Sequence, residues 1–312
     1  MRAAIGIVAL TMVLAVGRAD AQDELRAQCT SGGATVPFCE LAVYGLETLT
    51  ARVGIASAGG NPVPGTASTF GMRLGPLPRM SLAARFTVMP VELPPIFVRG
   101  QDETPDGLVT SINLDGSVGL FTGFSVAPTV GGLLSVDLLG NLSFLDMPGG
   151  EGFNDDNPVA WAVGARVGIT RESFTAPGIS VSGMYRRITE LRYGDTSMSR
   201  ADALIQIDGH RAWNVRAAIS KRLSLAALTG GIGYDHHSGA GFVRVAEAEG
   251  REDGFSIGRF NAFASGGATF LILTIAGELG WQQGADAPGD LAGADVAGKS
   301  GFFGSVAIRL AI

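Results

Sequence analysis

The C-terminal stretch decides the fold, and residues 301–312 read Gly301, Phe302, Phe303, Gly304, Ser305, Val306, Ala307, Ile308, Arg309, Leu310, Ala311, Ile312. Large apolar residues recur at every second position from Val306 to Ile312, and small or polar residues occupy the positions between them. A period of two predicts a β-strand with one apolar face. A strand that continues to the last residue is expected where the final strand pairs with the first and closes a barrel.

This stretch resembles the C-terminal strand of the bacterial outer-membrane β-barrel proteins, in which apolar residues alternate and the last residue is usually aromatic. Ile308, Leu310 and Ile312 match the alternation, whereas Ile312 departs from the pattern because it is not aromatic. The resemblance is to a broad, porin-like class. It implies an integral protein of the cell outer membrane that contacts the lipid bilayer and engages the barrel-assembly machinery through its C-terminal strand.

The same period of two recurs along residues 50–312, which predicts one all-β domain, a closed antiparallel transmembrane β-barrel. The pattern gives about 12 strands, with 10 or 14 as alternatives, because bacterial barrels have an even number. The predicted strands are Arg52–Ser57, Ser68–Leu74, Ser81–Val91, Leu108–Leu120, Leu134–Phe144, Ala160–Thr170, Ile179–Leu191, Ala212–Arg222, Ser224–Tyr234, Gly258–Ser265, Leu271–Gln282 and the C-terminal strand.

The connections between strands indicate on which side the apolar face lies. Long polar stretches at 99–106, 148–157, 194–209, 236–253 and 284–300 alternate with short links in the second half of the chain. Outer-membrane barrels have long external loops and short periplasmic turns, and a soluble barrel has no reason to sort its loops in this way. Together with Trp161, Trp281 and Phe302 near strand ends, this sorting favours an apolar face toward lipid.

Composition agrees with a membrane barrel. Hydrophobic residues make up 46% of the 312 residues and the mean hydropathy is +0.28, yet no apolar stretch after residue 21 is long enough for a membrane helix. The net charge of −6 argues against nucleic acid as a partner, because a basic surface is needed to bind phosphate backbones.

The N-terminal region precedes the barrel and divides into two parts. Residues 1–21 have a charged start at Arg2, an apolar run and a small-residue site at residues 19–21, which predicts a cleaved signal peptide and export. Residues 22–49 are expected to form a short segment that is either periplasmic or a plug of the lumen. Residues 50–312 would then form the barrel.

Cys29 and Cys39 are the only two cysteines, and both follow the predicted signal peptide. In an oxidising compartment they are expected to form a disulfide that staples the N-terminal segment. Two thiols without a nearby histidine are too few ligands for a metal site.

Charged residues of both signs fall on the polar faces of the strands, and we expect them to face the lumen: Asp115, Asp137, Arg166, Arg186, Arg216, Glu278 and Arg309. In one interpretation these side chains line a water-filled path and set its ion preference. In the other they pair across a narrow lumen and fill it. The residues alone do not choose between the two.

Catalytic patterns are weak in this chain. Residues 254–258 match G-x-S-x-G around Ser256, but the pattern leads into a predicted strand rather than a helix. Asp235, His236 and His237 are adjacent and would point to alternate faces of a strand, so a metal or base site there is disfavoured. We therefore expect no catalytic residues, no metal and no cofactor.

Three functions remain after these observations. The main prediction is a passive channel or transporter for small solutes whose identity the residues do not reveal. The first alternative is a non-conducting barrel with a structural or surface-interaction role. The less favoured alternative is an outer-membrane hydrolase that uses Ser256 or the region of His236.

Overall fold

The computed structural model describes residues 18–31, 33–70, 79–94, 106–127, 130–148, 157–194, 203–245, 253–285 and 300–311. Two helices come first, α1 (Arg18–Ser31) and α2 (Val36–Ala58). The strands that follow are β1 (Met80–Glu92), β2 (Asp106–Phe121), β3 (Val136–Asp146), β4 (Val159–Thr170), β5 (Gly178–Ile188), β6 (Leu191–Gly194), β7 (Ala203–Leu223), β8 (Ala226–Val245), β9 (Asp253–Phe270), β10 (Leu273–Gln282) and β11 (Gly301–Ala311). Residues 1–17 of the predicted signal peptide lie outside the described residues.

Ten of these strands form a closed antiparallel barrel. Neighbouring strands pair in chain order, β5 pairs with β7, and β1 pairs with β11 in the register Ser81↔Ala311. Strand β6 lies outside this ring and pairs only with β7, at Leu191↔Ile207 and its neighbours. The predicted closure of the barrel by the C-terminal strand is therefore confirmed.

The predicted number of about 12 strands is wrong, and the error lies in the first two of them. Residues Arg52–Ser57 belong to helix α2, whereas 68–70 have no strand pairing and 71–74 lie outside the described residues. A run of small and β-branched residues that is buried on all sides has no clear period, so a strand and a buried helix look alike in such a sequence. The predicted boundary between residues 49 and 50 consequently falls inside α2.

Two stretches were predicted as loops, 194–209 and 236–253, and their described residues, 194, 203–209, 236–245 and 253, belong to strands. Strands β7 and β8 pair from Ala203↔Val245 to Leu223↔Ala226, so this hairpin is longer than a membrane crossing requires. A β-bulge between Asp208 and Arg211 includes Gly209, whose φ of 58° favours glycine. The hairpin is rich in glycine and polar residues, which obscures the apolar alternation on which the prediction depended.

The outer surface of the barrel is apolar. Along the strands, exposed large apolar side chains alternate with buried small or polar ones, and the exposed set includes Leu82, Phe86, Ile112, Leu114, Leu138, Phe144, Val163, Ile219, Leu228, Ile232, Ile275, Leu279, Val306 and Ile308. The turns between β7 and β8 and between β9 and β10 span two residues each, and the connections 93–105, 147–158 and 283–300 lie at the other end, whereas the stretch 122–135 between β2 and β3 is a long connection at the short-turn end. This is the build of an outer-membrane β-barrel, and that prediction is confirmed.

Among the described residues, neither helix is long and apolar enough to serve as a membrane-spanning helix. Helix α2 instead lies inside the barrel, where it contacts β1, β2, β3, β7, β8 and β9 and is buried along nearly its whole length. It begins after Thr35 with proline in its first turn, and it ends at Gly59, whose φ is 64° and whose N–H donates to Ile55 O at 2.7 Å.

Candidate functional site in the barrel lumen

The lumen is occupied by residues 36–70, which we call the lumen segment. Helix α2 forms its first part, and residues 59–70 continue it toward the end of the barrel that carries the short turns. Two different environments follow one another along this segment, an apolar one at the long-loop end and a polar one at the short-turn end.

At the long-loop end, helix α2 packs in an apolar cluster. Its buried Leu46, Leu49 and Val53 belong to one cluster with wall residues near the long-loop ends of the strands, including Met89, Val91, Val109, Leu145, Ile205 and Val243. The predicted disulfide between Cys29 and Cys39 is confirmed, with an S–S distance of 2.05 Å, and it joins α1 to the start of α2 in the same cluster.

The last turn of α2 is capped by the barrel wall. Ser111 Oγ donates to Ala56 O at 2.7 Å, Ser143 Oγ donates to Ser57 O at 3.1 Å, and Arg85 Nη2 donates to Ala58 O at 3.0 Å. The last carbonyls of a helix lack partners within the helix and carry partial negative charge, so a guanidinium is a favourable cap. Three strand residues therefore supply the hydrogen bonds to the last helical carbonyl groups that residues just after a helix often supply.

Residues 59–61 are held through their backbone groups. The two carboxylate oxygens of Glu278 accept the N–H groups of Gly60 at 2.9 Å and Asn61 at 3.0 Å. Arg216 donates from Nε to Gly60 O at 3.1 Å and also forms an ion pair with Asp235 at 2.6 Å. These contacts use backbone atoms of residues 59–61, so the residue types at these positions do not predict them.

Close to the short-turn end, an ion pair holds the rest of the segment. Arg166 Nη2 and Asp137 Oδ2 are 2.7 Å apart, and both side chains are almost fully buried. Asp137 also accepts the N–H of Phe70 at 3.1 Å, and Arg166 Nη1 donates to Thr66 O at 3.3 Å. The pair therefore connects the wall strands β3 and β4 to the lumen segment.

The structure places all seven residues that we predicted to face the lumen among the buried side chains of the barrel interior. Asp115 pairs with Arg85 at 3.1 Å, and Asp137, Arg166, Arg216 and Glu278 make the contacts given above. Arg186 donates to Asn141 Oδ1 at 2.6 Å and has no carboxylate partner among the described residues. Arg309 donates to Thr274 Oγ1 at 3.3 Å.

Three histidines lie near the long-loop end of β7 and β8. His210 Nε2 and His237 Nδ1 are 3.1 Å apart and buried in the lumen, where a Cβ on Gly54 of α2 would lie 2.2 Å from His237 Cε1. His236 faces the opposite side of β8 and lies 3.4 Å from Ser256 Oγ. Ser256 is inside β9, near its start, rather than at a strand-to-helix turn, so no nucleophile elbow is formed.

Sequence analysis missed several charged residues of the lumen, among them Arg259, which pairs with Glu47 of α2 at 2.7 Å, and the two wall residues Arg85 and Asp235. Both occupy inward positions of their strands, and the period of two could have placed Arg85 with the seven predicted residues. Asp235 was considered as a possible metal ligand beside His236, whereas it pairs with Arg216. The described residues contain no group of three or more His, Cys, Asp or Glu side chains placed to hold a metal.

Comparisons with known proteins show similarity in fold only. No protein-family model and no curated protein matches the chain. The translocator domain of autotransporter NalP from Neisseria meningitidis is 9% identical over 77% of this chain and 90% of its own, with a TM-score of 0.44. An outer membrane channel from Pseudomonas putida F1 is 10% identical over 77% and 98%, with a TM-score of 0.38, and the Pseudomonas putida toluene transporter TodX is 8% identical over 80% and 96%, with a TM-score of 0.36. These values are too low to assign a function.

Proposed function

We propose that this protein is an outer-membrane channel for small solutes, closed by its own lumen segment and conducting when that segment shifts. The external loops would be the long ones, and the short turns would face the periplasm. Assembly through the barrel-assembly machinery and removal of residues 1–21 belong to the same proposal. No catalytic role is proposed, and the absence of enzymatic activity stays a prediction.

One observation supports this function best, namely the charge on the inner wall. Three ion pairs, Arg85–Asp115, Arg166–Asp137 and Arg216–Asp235, are buried in the lumen. Burying ion pairs carries a desolvation cost, and an apolar filling of similar volume is often at least as stable. Polar interiors occur in open and in plugged membrane barrels, and a water-filled path through the lumen requires a charged or polar wall of this kind.

The contacts at the short-turn end are of a kind that water can replace. Glu278 and Arg216 bind backbone N–H and carbonyl groups of Gly60, and Asp137 binds the N–H of Phe70. The net contribution of one such hydrogen bond is only about 1.5–3 kcal/mol where a charge takes part, because water forms comparable bonds to both groups. Movement of residues 59–70 would leave a hydrated, charged wall at this end of the lumen, and opening of the whole lumen requires α2 to move as well.

A non-conducting barrel is the second candidate, and the apolar cluster around α2 favours it. Leu46, Leu49 and Val53 are fully buried against the wall, and their removal from that cluster carries a large cost. If α2 never leaves this position, the lumen stays closed.

Single-channel recording in planar bilayers distinguishes the two candidates. We expect rare openings of the unmodified protein and more frequent openings of Glu278→Ala, which releases the N–H groups of Gly60 and Asn61. Thr229→Val is the matched control, because Thr229 is buried on the inner wall and its hydroxyl has no hydrogen-bond partner among the described residues. A complete lack of openings in both the unmodified protein and Glu278→Ala would establish the non-conducting barrel.

A tether tests whether the lumen segment is the gate. Thr69 Oγ1 and Ser135 Oγ are 2.5 Å apart, so cysteines at both positions are expected to join the segment to the wall. The oxidised double variant should not open. The control links two wall strands at Ser81 and Ser117, whose hydroxyls are 2.8 Å apart and which pair directly between β1 and β2. Equal opening of both cross-linked proteins would show that the segment is not the gate.

A further inference from the structure

A cavity of about 570 Å³ lies at the short-turn end of the barrel, next to residues 66–70 of the lumen segment. Four arginines line it, Arg79, Arg171, Arg222 and Arg309, and Glu172 is the one acidic side chain among its described lining residues. The arginines come from the residue before β1, the turn after β4, the end of β7 and the C-terminal end of β11. A cationic cavity is unusual in a chain whose net charge is −6.

Arg309 is the residue that most clearly indicates a ligand. Its side chain is only 4% exposed, and its Nη2 donates to Thr274 Oγ1 at 3.3 Å. Its Nε and Nη1 are buried and have no hydrogen-bond partner within the described part of the chain. An arginine presents five donors in a fixed plane, and a buried guanidinium without an anionic partner costs several kcal/mol.

The protein supplies little negative charge to this cavity. The carboxylate of Glu172 accepts the backbone N–H of Arg222 and is 3.5 Å from Ser220 Oγ, so its oxygens are engaged away from the guanidinium groups. Among the described residues, none of the four arginines forms an ion pair. Residues 71–78, which join the lumen segment to β1, contain no Asp or Glu.

The turn after β4 shows that these positive charges are close enough to repel each other. Partial burial and then the charge of Arg79 lower the pKa of Arg171 below its ordinary value, and the charge of Asp137 opposes this effect. Arg171 Nη2 donates to Thr122 O at 2.7 Å, while its Nε is buried and has no partner in the described structure. Two of the four guanidinium groups therefore have buried donors left over.

We propose that this cavity binds a phosphate group, carried either by a soluble small molecule or by a lipid headgroup. Several arginines around one space match the oxygens of a phosphate, because each planar guanidinium can donate two parallel hydrogen bonds. Thr269 and Thr274 also line the cavity; their hydroxyls are 3.0 Å apart and share one hydrogen bond, so one hydroxyl proton of the pair is left to donate beside Arg309. The cavity is larger than a bare phosphate ion, so the phosphate is expected to carry an organic group. The site is independent of whether the barrel conducts.

The test uses the full-length protein in a maltoside detergent free of phosphate, with inorganic phosphate as the probe in calorimetric titration and thermal unfolding. We expect phosphate to raise the Tm of the unmodified protein, because a ligand that binds only the folded state stabilises it. Arg309→Gln and Arg222→Gln should each weaken phosphate binding about ten-fold, since each removes charge-assisted hydrogen bonds. Arg211→Gln is the matched control, because Arg211 has the same charge but lies near the long-loop end of β7.

A purely structural role of Arg309 gives a different result. In that case Arg309→Gln would lower the Tm without phosphate, whereas a binding role predicts an unchanged or higher Tm without phosphate and a loss of the phosphate-induced increase. If Arg309→Gln does not fold, the exposed Arg222 carries the test. Absence of phosphate binding to the unmodified protein in both the detergent and vesicle experiments, or equal binding by Arg222→Gln and Arg211→Gln, would overturn the proposal.

Vesicles distinguish the two sources of the phosphate group. The protein is reconstituted in phosphatidylcholine vesicles with or without phosphatidic acid, and its Tm is measured without soluble phosphate. An increase with phosphatidic acid that is lost in Arg222→Gln and kept in Arg211→Gln identifies a lipid headgroup. An increase with soluble phosphate alone identifies a soluble ligand, and either result supports the site.

Discussion

The two ends of the lumen hold the same segment by different means. At the long-loop end, side chains such as Leu49 and Val53 pack against apolar wall residues. At the short-turn end, wall side chains such as Glu278 and Asp137 bind backbone groups of residues 60–70. Apolar packing depends on buried area and is non-directional, whereas the polar contacts depend on the position of single atoms. The apolar end therefore anchors the segment, and the polar end is where it can be released.

The largest expected effect is at the polar end, in Asp137→Ala. This change leaves Arg166 buried without its partner and removes the acceptor of the Phe70 N–H. We expect a loss of about 3–5 kcal/mol in the free energy of unfolding, because an unpaired buried charge is costly. Urea unfolding in detergent, followed by tryptophan fluorescence, measures it. A loss below about 1 kcal/mol would show that water reaches this pair and that the polar end is not dry.

The next largest effect is expected for Leu49→Ala, which disturbs the apolar packing at the long-loop end. Leu49 is fully buried in the cluster, and its truncation is expected to cost about 2–4 kcal/mol through lost burial and a residual cavity. Leu228→Ala is the control, because Leu228 is 60% exposed on the outer surface. The same unfolding experiment should show a much smaller loss for Leu228→Ala. Similar losses in the two variants would contradict the tight packing of α2 against the wall.

A third change weakens the anchor by removing its covalent bridge. Replacing both Cys29 and Cys39 by serine removes a short loop constraint and should cost about 2–3 kcal/mol on the chain-entropy account. Thermal unfolding with and without reductant measures this contribution, and the serine variant should no longer respond to reductant. If the anchor holds the segment in place, channel openings should also become more frequent. Identical Tm values for the unmodified protein and the serine variant would mean that the bridge does not stabilise α1 and α2.

The smallest expected change in the free energy of unfolding is at a wall residue that does not bind the lumen segment. Thr229→Val replaces a buried hydroxyl that has no hydrogen-bond partner among the described residues, so the free energy of unfolding should change by less than about 0.5 kcal/mol. Glu278→Ala, on the same level of the wall, should cost clearly more. A large loss for Thr229→Val would reveal a water-mediated contact with the segment.

The prediction of the barrel succeeded because its cause is local. In a strand, successive side chains point to opposite faces, so an apolar exterior and a polar interior appear directly as a period of two. The hairpin of β2 and β3 shows this most clearly, with Leu114 outside and Asp115 inside. The closing strand and the disulfide were predictable for the same reason, since each follows from a short pattern and its compartment.

The contents of the lumen were not predictable from local pattern. Helix α2 ends where Ser111, Ser143 and Arg85 supply its cap, and these residues are far from Ala56–Ala58 in the sequence. The strand number was overestimated for this reason, because Arg52–Ser57 shows no helical face when every side of it is buried.

The sequence by itself determined a membrane barrel, its closing strand, its bridge and the inward position of its charges. Only the tertiary structure decided which charges pair, that residues 36–70 fill the lumen, and that Arg309 lies among other arginines with little acid nearby. Alternation along a strand assigns a side chain to a face and is a property of the local backbone. Which side chains meet across the lumen depends on how the sheet closes and on the register in which its strands pair. A shift of that register by one residue would move every side chain of a strand to the other face.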